Sequence, residues 1–292
     1  MKEKKLDGRR KYYMVLDCET ATLPYAASLD NATAKQKVAI AKPLIYDFAW
    51  NIVDIRGKVY RRRSFLITEI FSVPAIFDTA YYAWKRPLYL DRLEKGETAL
   101  KTWADAVKVF EQDAAEVEAV GAFNSMFDFK KAIPFTELYI SKLYSPDFFQ
   151  WEAWQNKIAA GIANGSKRES NRTFEPDMFR FRGKTYRLFD LWGLSCEHLI
   201  NTPEYKQTCV DNKWTTASGK YFKTSAETVF RFTMGQHDFD EAHMAIDDAD
   251  IESVIFSMIG KKTKHNFEKG IIYFPFKILG TVENFTGEIW ER

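Results

Sequence analysis

The stretch Tyr12-Tyr13-Met14-Val15-Leu16-Asp17-Cys18-Glu19-Thr20 constrains the fold more than any other part of the chain. An uninterrupted apolar run that stops in acids reads as a strand buried on both faces, the pattern of a central strand in an α/β sheet. Side chains alternate along a strand, so Asp17 and Glu19 share one face while Leu16 and Cys18 take the other. Two carboxylates side by side at a strand end repel each other unless a cation lies between them. Mg²⁺ and Mn²⁺, hard ions that prefer oxygen ligands, suit such a place. Taken alone, D-x-E is more often a strand that simply ends in solvated acids.

Two further stretches change that balance. Val117 to Ala122 is a short apolar strand, and Phe123-Asn124-Ser125-Met126-Phe127-Asp128 carries it to another acid. His243-Met244-Ala245-Ile246-Asp247-Asp248 places a histidine five residues before an aspartate, where a helical pattern begins. With these three stretches in order, D-x-E, N-x-x-F-D and H-x-x-x-x-D, the chain resembles the DnaQ-like 3′→5′ exonucleases of the DEDDh type. The resemblance covers residues 12 to 255, and Glu241-Ala242-His243 before the acidic pair is similar to phage-encoded members. A tyrosine in place of His243 would have indicated the sister DEDDy class.

The resemblance implies an α/β fold: a ribonuclease H-like mixed β-sheet flanked by helices, with an inserted lobe between the second and third motifs. It implies two divalent cations, Mg²⁺ or Mn²⁺. Asp17 would bridge both, Glu19 and Asp248 would hold the ion of the nucleophile, and Asp128 would hold the other, largely through water. His243, with an ordinary pKa near 6.5, is suited to take the proton of the attacking water. Asp247 competes with Asp248 as a ligand, but the family spacing selects Asp248 and leaves Asp247 and Asp250 as solvated acids. Thr20, Phe123 and Asn124 are the expected substrate contacts. The family's T-T-G is here Thr20-Ala21-Thr22, so close backbone contact at Thr22 is in doubt, and Phe123 is equally suited to stacking on a base or to the core. The substrate expected is single-stranded DNA, with a separate DNA polymerase as a further partner in phage replication, recombination or proofreading. RNA is the alternative, since nothing in the motifs reads a 2′-hydroxyl. A catalytically silent nucleic-acid-binding or docking module would not need His243 and all four acids.

Composition agrees with a folded chain. With 46% hydrophobic and 28% charged residues over 292 positions, there is material for one large domain with an insertion. Aromatics reach 16%, and they serve both as core and as stacking platforms for single-stranded bases. A net charge of only +2 means that any nucleic-acid affinity comes from local patches. Cys18, Cys196 and Cys209 form no C-x-x-C pair and read as reduced thiols, and no run approaches a membrane span or signal peptide. These features predict a cytoplasmic protein without a membrane partner, in host cytoplasm if phage-encoded.

Along the chain, residues 1–11 form a basic arm, 12–265 the exonuclease domain and 266–292 a tail of undecided role. The tail is suited to pairing at a sheet edge or to docking elsewhere. Runs from Ile45 to Asp54 and from Lys58 to Ile67 read as strands joined at Arg56-Gly57, making the antiparallel edge of the sheet. Arg61-Arg62-Arg63 alternate across the second of these and read as a solvated edge. Ala99 to Ala115 is helical by period, with Trp103, Ala106, Val107 and Phe110 on one stripe. Arg187 to Trp192 reads as a returning strand, and Ser225–Thr233 and Ile246–Ile259 as helices. The interval from Asp128 to His243 exceeds what compact family members need, which places an insertion at about 134–182. Lys167, Arg168 and Arg172 lie in its basic, breaker-rich half and are candidates for phosphate contacts, with an ordinary solvated loop as the competing reading.

Overall fold

The computed structural model describes residues 6–23, 42–151, 178–264, 267 and 274–287. Its centre is a seven-stranded mixed sheet in the order β4-β3-β2-β1-β5-β7-β6. The strands are β1 (Tyr12–Ala21), β2 (Leu44–Asp54), β3 (Val59–Ile67), β4 (Ala99–Lys101), β5 (Ala119–Ala122), β6 (Met178–Phe181) and β7 (Lys184–Asp190). β2 runs antiparallel to β1 and β3, whereas β5 is parallel to β1 and β7 is parallel to β5. This is the ribonuclease H-like α/β arrangement, with β1 in the middle.

The two-sided burial read from β1 has a direct structural counterpart. Met14, Leu16 and Cys18 belong to one core cluster and Tyr13 and Val15 to the other. The first cluster is closed by α2 (Trp103–Ala114) and α3 (Ile133–Leu143), after the shorter α1 (Arg86–Glu94). The second is closed by α4 (Leu191–His198), α5 (Pro203–Asp211), α6 (Ala226–Met234) and the long α7 (Ala245–Thr263). The β2–β3 hairpin turns at Gly57 with φ 77°, and a Cβ there would lie 2.8 Å from the Cβ of Ser257 on α7. Only glycine allows both the left-handed turn and the close approach of the helix.

Several expectations change. The helix expected from Ala99 begins at Trp103, because Thr102 caps it by accepting from the Asp105 amide and residues 99–101 pair with β3 as β4. The β2–β3 hairpin is therefore one strand short of the edge. Each member of the arginine triad is paired with an acid, and of the three Arg62 remains exposed. Arg61 and Arg63 both bind Asp113 of α2, while Arg62, on the opposite face, donates to Asp250 of α7 at 3.0 Å. The alternation is the one read from the sequence, but each face meets a helix that supplies an acid. Asp247 and Asp250 are likewise not free in solvent: Arg92 grips Asp247 through two bonds of 3.1 and 2.6 Å, and Asn51 donates to Asp250 at 2.7 Å.

Within the range taken as the insertion, 133–143 is helix α3 and 178–181 is edge strand β6, paired with β7. Lys167, Arg168 and Arg172 fall outside the described residues. In the tail, Phe267 is buried with its ring stacked on Phe256 of α7 at 4.6 Å, and Thr281 bridges to Tyr221. These described parts pack on the helical layer, not at a sheet edge.

Candidate active site

β5 pairs with Tyr13–Val15 of β1 and ends at Ala122, while β1 runs on through Asp17 and Glu19 to Ala21. A cleft with a volume of about 230 Å³ is lined by Asp17, Cys18, Glu19, Phe123, Asn124, Phe127, Asp128, Ala226, Glu241, His243, Asp248 and Glu252. Three stretches far apart in sequence thus meet at one point.

Each is held there by identifiable contacts. After β5 the chain turns on Ser125, which is fully buried; its hydroxyl donates to the Phe189 carbonyl at 2.6 Å and its amide donates to Asp190 at 3.0 Å. A wide, π-type turn over Asp128–Ala132 follows and buries Asp128, a local geometry frequent at functional sites. The start of α7 has no side-chain cap of its own. Asp47 of β2, which is buried, instead accepts from the Ala245 amide at 3.0 Å and fixes the first turn, where Asp248 sits.

His243 precedes that turn with φ 48°, in the left-handed region that histidine occupies only occasionally. Its ring stacks on Tyr82 at 4.5 Å with planes 13° apart, and Nδ1 lies 3.5 Å from Glu241. Buried Lys85 donates to the Ala242 carbonyl next to it. Burial, followed by the positive charge of Lys85, lowers the His243 pKa below 6.5, so the ring is neutral near neutral pH.

The electrostatics of the cleft run in one direction. Desolvation, then the charges of Glu252, Asp248, Asp128 and Glu19, hold the Asp17 carboxyl well above its ordinary range. Burial and Asp47 push Glu19 up to about 8, burial pushes Asp128 up to about 8, and burial with Glu241 and Glu19 pushes Asp248 up to about 9. Oδ1 of Asp128 and Oδ1 of Asp248 are buried with no hydrogen-bond partner among the described residues. Unpaired buried carboxylate oxygens are costly, and a divalent cation relieves that cost directly. One oxygen each of Glu19 and Asp248 and a ring nitrogen of His243 lie within 4.8 Å of one another, close enough to share an ion or its water. The donor set, oxygens with one imidazole at the rim, fits Mg²⁺ or Mn²⁺.

Of the other expected contacts, Asn124 is exposed at the cleft, and Phe123 lines it while also packing in the second core. Thr20 is half-buried just beyond the lining, at a register irregularity in the β1–β2 pairing. Sequence reading missed Glu252, Glu241, Asp47, Lys85 and Tyr82. Glu252 lies one turn after Asp248 on α7, is buried, and accepts from the Phe123 amide at 3.2 Å. Its i+4 spacing from Asp248 was visible, but it reads equally as an exposed helix acid.

No family model matches the chain, and no curated protein matches it. Among solved structures it is similar to cell-death related nuclease 4 (CRN-4), with a TM-score of 0.39 and 13% identity over 86% of this chain and 64% of that one. The chain thus spans less than two thirds of that protein's length. Among the described residues, no helix is long and apolar enough to cross a membrane.

Proposed function

We propose that this protein is a metal-dependent 3′→5′ exonuclease of the DEDDh type, acting on single-stranded DNA. The observation that carries the reading is the convergence of Asp17, Glu19, Asp128, His243 and Asp248 on one cleft, where Oδ1 of Asp128 and Oδ1 of Asp248 are buried with no hydrogen-bond partner among the described residues. Asp17, Glu19, Asp128 and Asp248 would hold two divalent cations. Bound there, such ions supply a water of lowered pKa and charge stabilisation for the leaving oxygen.

The chain's own residues do the rest. Glu241 faces Nδ1 of His243 and orients the ring, which leaves Nε2 to accept a proton from the attacking water. Neutrality of the ring near pH 7 follows from its burial beside Lys85. Asn124, exposed and lining the cleft, would contact the terminal nucleotide. We place the activity beside a separate polymerase, in phage DNA replication or recombination.

The test is hydrolysis of end-labelled DNA and RNA of one sequence. Mononucleotide release from the 3′ end of single-stranded DNA in Mg²⁺, abolished by EDTA and slower on RNA, is expected. Absence of Mg²⁺-dependent hydrolysis of either polymer overturns the reading, and preference for RNA transfers it to an exoribonuclease.

A further inference from the structure

We propose that the turn Tyr81–Lys85 is a stacking platform for unpaired nucleobases, set beside His243 so that the cleft is fed by single strands and not by duplex. The inference rests on the function proposed above and adds the residues that select the substrate's form. Tyr81 and Trp84 are 85% and 73% exposed, two large rings turned to solvent within one short segment. Single exposed aromatics need no explanation, but neighbouring rings on a fixed backbone at a cleft mouth form a surface.

Five side-chain contacts hold the turn, and two of them tie it to the histidine loop. Tyr82 stacks flat on the imidazole of His243 at 4.5 Å, and Tyr81 meets Tyr82 edge-on at 4.8 Å. The ammonium of Lys85 lies 4.5 Å from the centre of the Tyr82 ring and 5.2 Å from that of Trp84, while it also donates to the Ala242 carbonyl. The turn and the histidine loop are therefore joined, and the ring contacts run from His243, which lines the cleft, through Tyr82 to Tyr81. That continuity selects the occupant. A strand with its terminal phosphodiester at the carboxylates passes its next bases over these rings, and aromatic faces take any base whatever its sequence. A duplex keeps its bases stacked on each other and offers none to the platform.

The experiment uses an Asp17→Asn background, which holds substrate without cutting it, and fluorescein-labelled oligo(dT) with Mg²⁺. Combining Tyr81→Ala with Trp84→Ala is expected to weaken single-strand binding by about tenfold or more for each ring lost. Blunt duplex binding should stay unchanged, and Tyr81→Phe with Trp84→Phe should restore the single-strand affinity. An unchanged affinity, an equal loss on duplex and single strand, or a failure of Asp17→Asn to bind single strands at all overturns the platform. A shift from dimer to monomer in the alanine variant on analytical ultracentrifugation would overturn it too, by assigning the surface to a second copy of the chain. If wild-type protein hydrolyses nothing yet the alanine variant loses only single-strand binding, the platform stands and the exonuclease reading falls.

Discussion

Asp247 and Asp248 are chain neighbours at the start of one helix, yet they belong to different regions. Asp247 faces the arginine side of the fold, where Arg92 takes both its oxygens; Asp248 faces the cleft, where one oxygen has no partner. The same division holds more widely. Asp113 is 2% exposed and binds the Trp50 indole, Arg61 and Arg63, whereas Asp128 is 4% exposed and keeps an unpaired oxygen. Burial is equal; partnership is not. Acids that the chain itself satisfies serve the architecture, and acids left unsatisfied at equal depth mark a place meant for an external charge.

The adjacent pair offers the sharpest way to break that comparison. Asp248→Asn is expected to lower hydrolysis by about 1000-fold or more, since several kcal/mol of charge stabilisation pass through the metal site. It should also raise the melting temperature of the metal-free protein at pH 8, because folding no longer has to protonate a carboxyl whose pKa is pushed up to about 9. Asp247→Asn should show the reverse pattern: hydrolysis retained, with about 1–2 kcal/mol of stability lost as Arg92 gives up a charged partner. Equal loss of activity in both variants would dissolve the distinction.

Asp113→Ala tests the architectural region alone. It strands Arg61, whose side chain is 9% exposed, and is expected to cost about 3–5 kcal/mol of stability in a denaturant titration. Hydrolysis by the remaining folded protein should keep its normal rate constant.

His243→Ala should slow hydrolysis by about 100-fold. In the wild type the rising limb of the pH–rate profile should fall below 6.5, the side to which burial and Lys85 move this ring. A variant that retains both the rate and the limb would place the proton elsewhere.

The last effect is a slope of stability with pH. Glu19, Asp128 and Asp248 have folded pKa values raised to about 8, 8 and 9, above the value near 4 expected for unfolded carboxylates. Between those limits the folded state binds more protons than the unfolded one, so metal-free stability should fall as pH rises from 5 to 9. The lowered pKa of His243 acts in the opposite sense just below 6.5, as a single minor contribution. Saturating Mg²⁺ should flatten the slope by replacing protons with metal. Melting curves across pH with EDTA or Mg²⁺ check this, and parallel slopes in both would argue against ions at these carboxylates.

The sequence by itself determined the parts of this protein that are local and periodic. The apolar run before Asp17 dictated a central strand, and Trp103, Ala106, Val107 and Phe110 dictated a buried helix stripe, because alternation and helical period depend only on near neighbours. The spacing of D-x-E, N-x-x-F-D and H-x-x-x-x-D named in advance seven residues that line the cleft. Tertiary structure decided what each charge meets. Nothing local distinguishes Asp247 from Asp248, or marks Glu252, Asp47 and Lys85 as buried beside the site, since their partners come from strands and turns over a hundred residues away. Charge pairing is a long-range property, and only the folded chain assigns an acid to an arginine or leaves it facing the cleft.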